Sequence, residues 1–258
     1  SDGPKKKEDN YEILNIRKYL KSLNCFKKLK LIFRKTNYGL SKNIVDGVTI
    51  VLKQYQTAII LEDDMVVSKF FLKYMNSQLS LYNNEKNVFS IHAYNYPLNF
   101  NNLISGDTYF LRTGDCWGWA IWSDRWFNFL ERENNLFKEL NKFSNKIIFN
   151  YLGTYSYLKM YEGNLQGKVD SWAIDFYAYA FLNNFLTLYP KVSLILNNGN
   201  DGFGTHRNDS NDFFNSNIEI KEKKYLKISI KSSITAYLLT VLFFIKLKMF
   251  NFLNKFFK

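Results

Sequence analysis

The sequence predicts an α/β fold, and three stretches carry that expectation. The run TAIIL at 57–61 is short, apolar and rich in β-branched residues, and it ends abruptly in the acids Glu62, Asp63 and Asp64. A run of that shape fits a buried strand of a parallel sheet. The segments on either side of it, LSKNIVDGVTIVLKQY and SKFFLKYMNSQLSLY, space their apolar residues for helices. A second apolar run, VFSI at 88–91, follows the second of these. Such alternation argues for a mixed, mainly parallel sheet with helices on both faces.

The other elements follow in order. EDNYEILNIRKYLKSL places Ile13, Ile16, Leu20 and Leu23 near helical spacing, with Asp9 or Asn10 as a cap. A short strand is expected around Leu29–Phe33. Ile44, Val48, Val51, Leu52 and Tyr55 form the face of the next helix, with Ser41 before it, and Ser68 caps the one after. The second half holds a Gly/Trp-rich turn, two or three helices, the strands LTLYP and VSLIL, and the loop NNGNDGFGTH. No internal repeat and no Pro/Ser linker interrupts the chain. One domain over 1–217 and a tail over 218–258 is the simplest division.

Charge is placed at the ends. Residues 1–37 carry eleven Lys/Arg against four acids, and residues 219–258 carry nine Lys against two, within a chain of net charge +12. A nucleic-acid-binding domain would instead carry a basic stripe in its folded core, so no nucleic-acid partner is expected. Positive ends suit an anionic membrane surface or a phosphate-rich ligand. The tail contains SSITAYLLTVLFFI, which has no charge but is shorter than the roughly 18–20 residues that span a bilayer. It reads either as a helix lying in the membrane interface or as one packed on the domain. Two cysteines and two histidines make neither a disulfide framework nor a Cys/His zinc cluster. The opening SDGPKKKEDN has no apolar leader core. A cytoplasmic location, peripheral on the inner face of the cell membrane, is the expectation.

LEDDMV at 61–66 is the strongest local signal for chemistry. Ligands of open α/β sheets gather outside the carboxyl ends of strands, where this turn falls. Three adjacent acids repel one another unless a cation neutralises them. Carboxylates favour Mg²⁺ or Mn²⁺, which could hold a diphosphate there. The competing reading is a solvated acidic turn.

Further pieces extend this one: SDG at Ser1–Gly3, NYGLSKNIVDGV at Asn37–Val48, CWGWAIW at Cys116–Trp122, DSWAIDFYAYAF at Asp170–Phe181 and GNDGFGTH at Gly199–His206. In this order they resemble the GT-A glycosyltransferases, in particular bacterial sugar transferases similar to N-acetylglucosaminyltransferase I. The resemblance spans residues 1 to about 208. It implies a GT-A fold and transfer of a sugar from a nucleotide-diphosphate donor to a hydroxyl of a glycan acceptor, metal-dependent and with inversion. It also implies a metal ion, Mn²⁺ or Mg²⁺, on Asp64 and His206, with Glu62 and Asp63 toward the donor sugar and ribose. Asp2 would meet the nucleotide base, and Trp117, Gly118 and Trp119 would lie beside donor and acceptor. Asp170 would be the general base.

Other roles for these residues stay open. Asp170 could cap the helix that follows, with Asp175 as the rival base. Asp2 could belong to an ordinary Asp-Gly turn, the tryptophans to the core, and His206 to a surface loop. His92 reads as structural, and Arg112 and Asp115 receive no role. Folds of this family begin with a strand, helix and strand before an SDG-like motif, so the resemblance also implies an N-terminally incomplete chain. Two alternatives to the transferase are a nucleotidyltransferase of the same sheet type and an inactive, membrane-associated remnant of the fold.

Overall fold

The computed structural model describes residues 1–198, 214 and 216–254. A five-stranded sheet forms from β1 (Thr57–Ile60), β3 (Val88–His92), β4 (Thr108–Leu111), β5 (Trp119–Trp122) and β6 (Leu186–Pro190), in the order β1-β5-β3-β6-β4. A separate two-stranded ribbon pairs β2 (Met65–Val67) with β7 (Ile195–Asn197). The chain is therefore mixed α/β, but the sheet is not mainly parallel. β1, β3 and β6 run the same way, yet only β3 and β6 are neighbours; the other three ladders are antiparallel. The reason is β5, which inserts between β1 and β3 in the opposite direction.

β3 and β6 are buried along their whole length, as continuous apolar runs should be. Their polar members bond to each other, Ser90 Oγ lying 2.8 Å from Thr187 Oγ1. β1, expected as a buried strand, lies instead at the sheet edge and is only partly covered. Side chains of β5 alternate between two cores. Trp119 and Ile121 face α2 (Leu40–Leu52), α4 (Ser123–Leu130) and α8 (Trp172–Leu182), among Val48, Trp126 and Phe176. Ala120 and Trp122 face α3 (Phe71–Leu81), among Phe71, Tyr74 and Met75.

Two expected elements differ. Leu29–Phe33 makes no strand; this stretch only exchanges backbone bonds with the start of the chain, Ser1 N donating to Ile32 O and Arg34 N to Ser1 O. α1 (Asp9–Ser22) forms but buries no residue, and neither Asp9 nor Asn10 caps it: Glu8 is the N-cap, without a side-chain bond, and the Asp9 carboxylate accepts from the N–H groups of Lys5 and Lys6 ahead of the helix. The contacts of α1 to Asp2 and the Phe33–Arg34 stretch run through Arg17 and Lys21, so the helix forms without a buried core.

The C-terminal segment returns to the domain. α9 (Ile234–Asn254) starts at Ser233, whose Oγ accepts from Ala236 N, and it packs Val241, Phe243, Phe244 and Leu247 into a third core. That core is shared with α5 (Phe137–Leu140), α6 (Phe143–Phe149), α7 (Tyr157–Leu165) and α8. Tyr151 stacks on Tyr237 at 4.9 Å, and Tyr155 meets Phe244 at 4.7 Å.

Candidate active site

The acidic turn leaves the carboxyl end of β1, and two pairings fix what lies around it. Ile60 pairs with Trp119, which sets the Gly-Trp turn opposite the end of β1. Gly118 has φ of +60°, and a Cβ there would meet Ile195 Cδ1 at 2.8 Å and Leu61 Cδ2 at 3.5 Å. Only glycine combines that backbone with so close an approach. On the other side Met65 pairs with Asn197, and Asn198 N donates to Asp64 O at 2.8 Å. The loop expected to bring His206 begins just beyond, and His206 itself lies outside the described residues.

The three acids repel one another. Glu62 is pushed up to about 7, first by burial and then by Asp64 and Asp63. Asp64 is also raised, by burial and by Asp63, although a hydrogen bond from Asn197 opposes this. Its Oδ1 is buried and has no hydrogen-bond partner among the described residues. Oxygen donors in this state suit a hard divalent cation. Still, among the described residues no three His, Cys, Asp or Glu side chains converge on one point, so a cation here would need further ligands.

The repulsion has a consequence for stability. A carboxyl whose folded pKa lies above its unfolded one binds more protons when folded, so ionising it weakens the fold. That loss runs from pH 4.5 to about 7. Glu62→Gln should therefore raise stability at pH 8 by about 1–2 kcal/mol, after allowance for partial solvent screening, and change it little at pH 4. Urea titrations of both proteins at the two pH values measure this. Equal gains at both would mean that ionising Glu62 does not weaken the fold.

Asp2 and Asp170 approach a single glycine from two sides. The Asp2 carboxylate accepts from the N–H groups of Gly3 (2.8 Å), Tyr38 (2.9 Å) and Gly39 (3.2 Å). Gly3 admits no side chain, because a Cβ would lie 2.3 Å from the carbonyl carbon of Thr36. Asp170 Oδ2 accepts from Ser41 N at 3.4 Å and would lie 3.1 Å from a Cβ on Gly39. Contacts thus run from Asp2 through Gly39 to Asp170. Asp170 is solvent-exposed and does not cap α8; Ser171 does, its Oγ accepting from Ile174 N. Asp175 is occupied, with Arg132 at 2.6 Å on one oxygen and Asn164 at 3.1 Å on the other.

The tryptophans divide. Trp119 is 1% exposed and stacks on Trp172 at 5.0 Å, so it belongs to the core and presents no face to a ligand. Trp117 is half-buried and stands edge-on to Tyr94 at 4.7 Å. Arg112 is also structural, lying 3.9 Å over Phe181 and donating to Asn184 Oδ1. Asp115 had no assigned role, yet it lies beside the site. His92 Nε2 is 3.8 Å from its Oδ1, and Tyr189 Oη is 3.4 Å from its Oδ2. Burial first, and the Asp115 carboxylate second, hold the Tyr94 and Tyr151 hydroxyls protonated. Burial pushes His92 down, with Asp115 partly opposing, which keeps the ring neutral. A lone Asp in a Gly-rich turn carries no signal of these neighbours, which come from distant strands. Comparison with known proteins found no matching family model and no matching curated protein.

Proposed function

We propose that this chain is a glycosyltransferase of GT-A type that moves a sugar from a nucleotide-diphosphate donor to a hydroxyl of a glycan acceptor. The observation that carries the reading is the acidic turn at the carboxyl end of β1, where Glu62 is pushed up to about 7 and Asp64 keeps a buried oxygen with no partner among the described residues. Such a turn is out of balance until positive charge arrives. The order of sequence motifs supports the same reading, and two of them, at Ser1–Gly3 and Asn37–Val48, meet through Asp2.

Asp64, with His206 as a further ligand, would hold Mn²⁺ or Mg²⁺, Glu62 and Asp63 would face the donor sugar and ribose, and the cation would supply charge neutralisation for the departing diphosphate. Asp170 takes the proton of the acceptor hydroxyl. The hydroxyl oxygen bonds to the anomeric carbon as the bond to the diphosphate breaks, and the nucleoside diphosphate leaves with that electron pair. Attack from the face opposite the leaving group inverts the anomeric centre. Asp2 shapes the nucleotide end by holding the Tyr38–Gly39 backbone, and half-buried Trp117 offers a ring edge near Gly118.

We place the reaction at the cytoplasmic face of the cell membrane. The basic ends of the chain support this, as does α9, which is long and apolar enough for membrane association by length and composition. The test of the chemistry uses the full-length protein and a panel of nucleotide-diphospho-sugars, with and without Mn²⁺. Metal-dependent release of nucleoside diphosphate is the expected result. Neither release nor binding with any donor would sink the reading.

A further inference from the structure

We propose that α9 docks the protein flat on an anionic bilayer through a stripe of apolar side chains on its outer face. This builds on the membrane placement above and is independent of the sugar-transfer chemistry. α9 is apolar on all sides, but the domain covers only one of them. Ala236, Thr240, Phe243, Phe244 and Leu247 are buried, and so is Val241 at the edge of the outer stripe. Opposite them, Ile234 (76% exposed), Leu238 (46%), Leu242 (52%), Ile245 (39%) and Met249 (60%) face out. Their steps of four, four, three and four residues keep all five on one side of the helix.

Charge decides what fits this stripe. At 3.6 residues per turn Lys246 and Lys248 lie about 80° to either side of Leu238's direction, one along each margin. Both are exposed, and Lys248 also donates to Gly153 O at 3.1 Å. From Lys223 to Lys258 the chain has eight lysines and no acid. A long apolar strip with lysine margins matches acyl chains below and lipid phosphates beside them. The apolar surface continues past the helix, since exposed Ile148 and Leu152 lie next to Tyr237, which donates to Ile148 O.

The inner face argues against a span. Crossing the bilayer would pull Val241, Phe243, Phe244 and Leu247 out of a core they share with Phe149, Tyr177 and Phe181. Lying in the interface keeps that core and buries the remaining face as well. Both sides of an otherwise over-apolar helix then have a partner.

The test is co-sedimentation with phosphatidylcholine vesicles, with and without phosphatidylglycerol, of three proteins: intact, L238Q/L242Q/M249Q and K246Q/K248Q. The intact protein should bind the anionic vesicles and lose affinity in high salt. The triple variant alters only exposed side chains, so it should melt normally and bind on the order of a hundredfold more weakly. The lysine variant should bind about tenfold more weakly, and to anionic vesicles only. Equal binding by the intact protein and the triple variant would overturn the stripe while leaving membrane placement standing. No vesicle binding by the intact protein would overturn both. A dimer of the intact protein that the triple variant dissolves, without vesicle binding, would assign the stripe to a second copy. Resistance of the cell-expressed protein to alkaline extraction would point to a span and overturn the flat geometry.

Discussion

Asp170→Asn lowers the rate of sugar transfer by about 10²–10⁴-fold and leaves donor affinity unchanged, if Asp170 is the base. The substitution keeps the size of the side chain and one accepting oxygen, so the Ser41 contact can persist. Because Ser171, not Asp170, caps α8, and because the bond to Ser41 N is long at 3.4 Å, the melting temperature should hardly move. Single-turnover transfer with a saturating donor measures the rate, and calorimetry measures donor binding. Near-normal transfer with an earlier melt would make Asp170 a support for the first turn of α2. Asp115 would then be the next carboxylate to substitute, since Asp175 is tied to Arg132 and Asn164.

If Asp64 is a metal ligand, Asp64→Ala is expected to weaken Mn²⁺-dependent donor binding by at least about a hundredfold, because one hard oxygen ligand disappears beside the proposed diphosphate site. The fold should tolerate the change. The hydrogen bond from Asn197 is lost, but Asp64 Oδ1 has no partner among the described residues, the backbone bond from Asn198 to Asp64 O remains, and one member of a self-repelling trio is gone. Donor titrations with and without Mn²⁺ separate the metal-dependent part of binding. Unchanged Mn²⁺-dependent affinity would remove Asp64 from the site.

Local periodicity made part of this fold legible. α2 and α3 carry apolar residues at helical spacing and form where expected. TAIIL also forms a strand, but its partner could not be read from it. β5 lies about sixty residues on in the chain and runs backwards beside β1, and nothing within four residues of apolar sequence encodes a neighbour's direction. Leu29–Phe33 has strand-like residues but no ladder beside it. The site was legible where several acids stand together, as at Glu62–Asp64. It was less so where one residue has two credible uses. Trp119 and Trp117 are two residues apart, and the alternation of β5 sends Trp119 into the core, while Trp117 precedes the strand and stays half-buried. Asp170 and Asp175 look alike in sequence until Arg132, forty-three residues away, claims the second.

The meeting of distant segments at Gly39 bears on how the protein fails. Asp170 reaches Ser41 across 129 positions of chain, and Asp2 reaches Tyr38 across 36. Loop closure over such lengths is unfavourable, so these contacts form only once the intervening sheet and α8 hold the ends in place. They are also few, and the Asp170 bond is exposed and long, so it opens locally before the sheet does. Damage to the packing under α8, for instance at Trp172 or Phe176, would therefore first loosen the position of Asp170. Such a protein would still be folded by any global probe while Asp170 was no longer held beside Gly39.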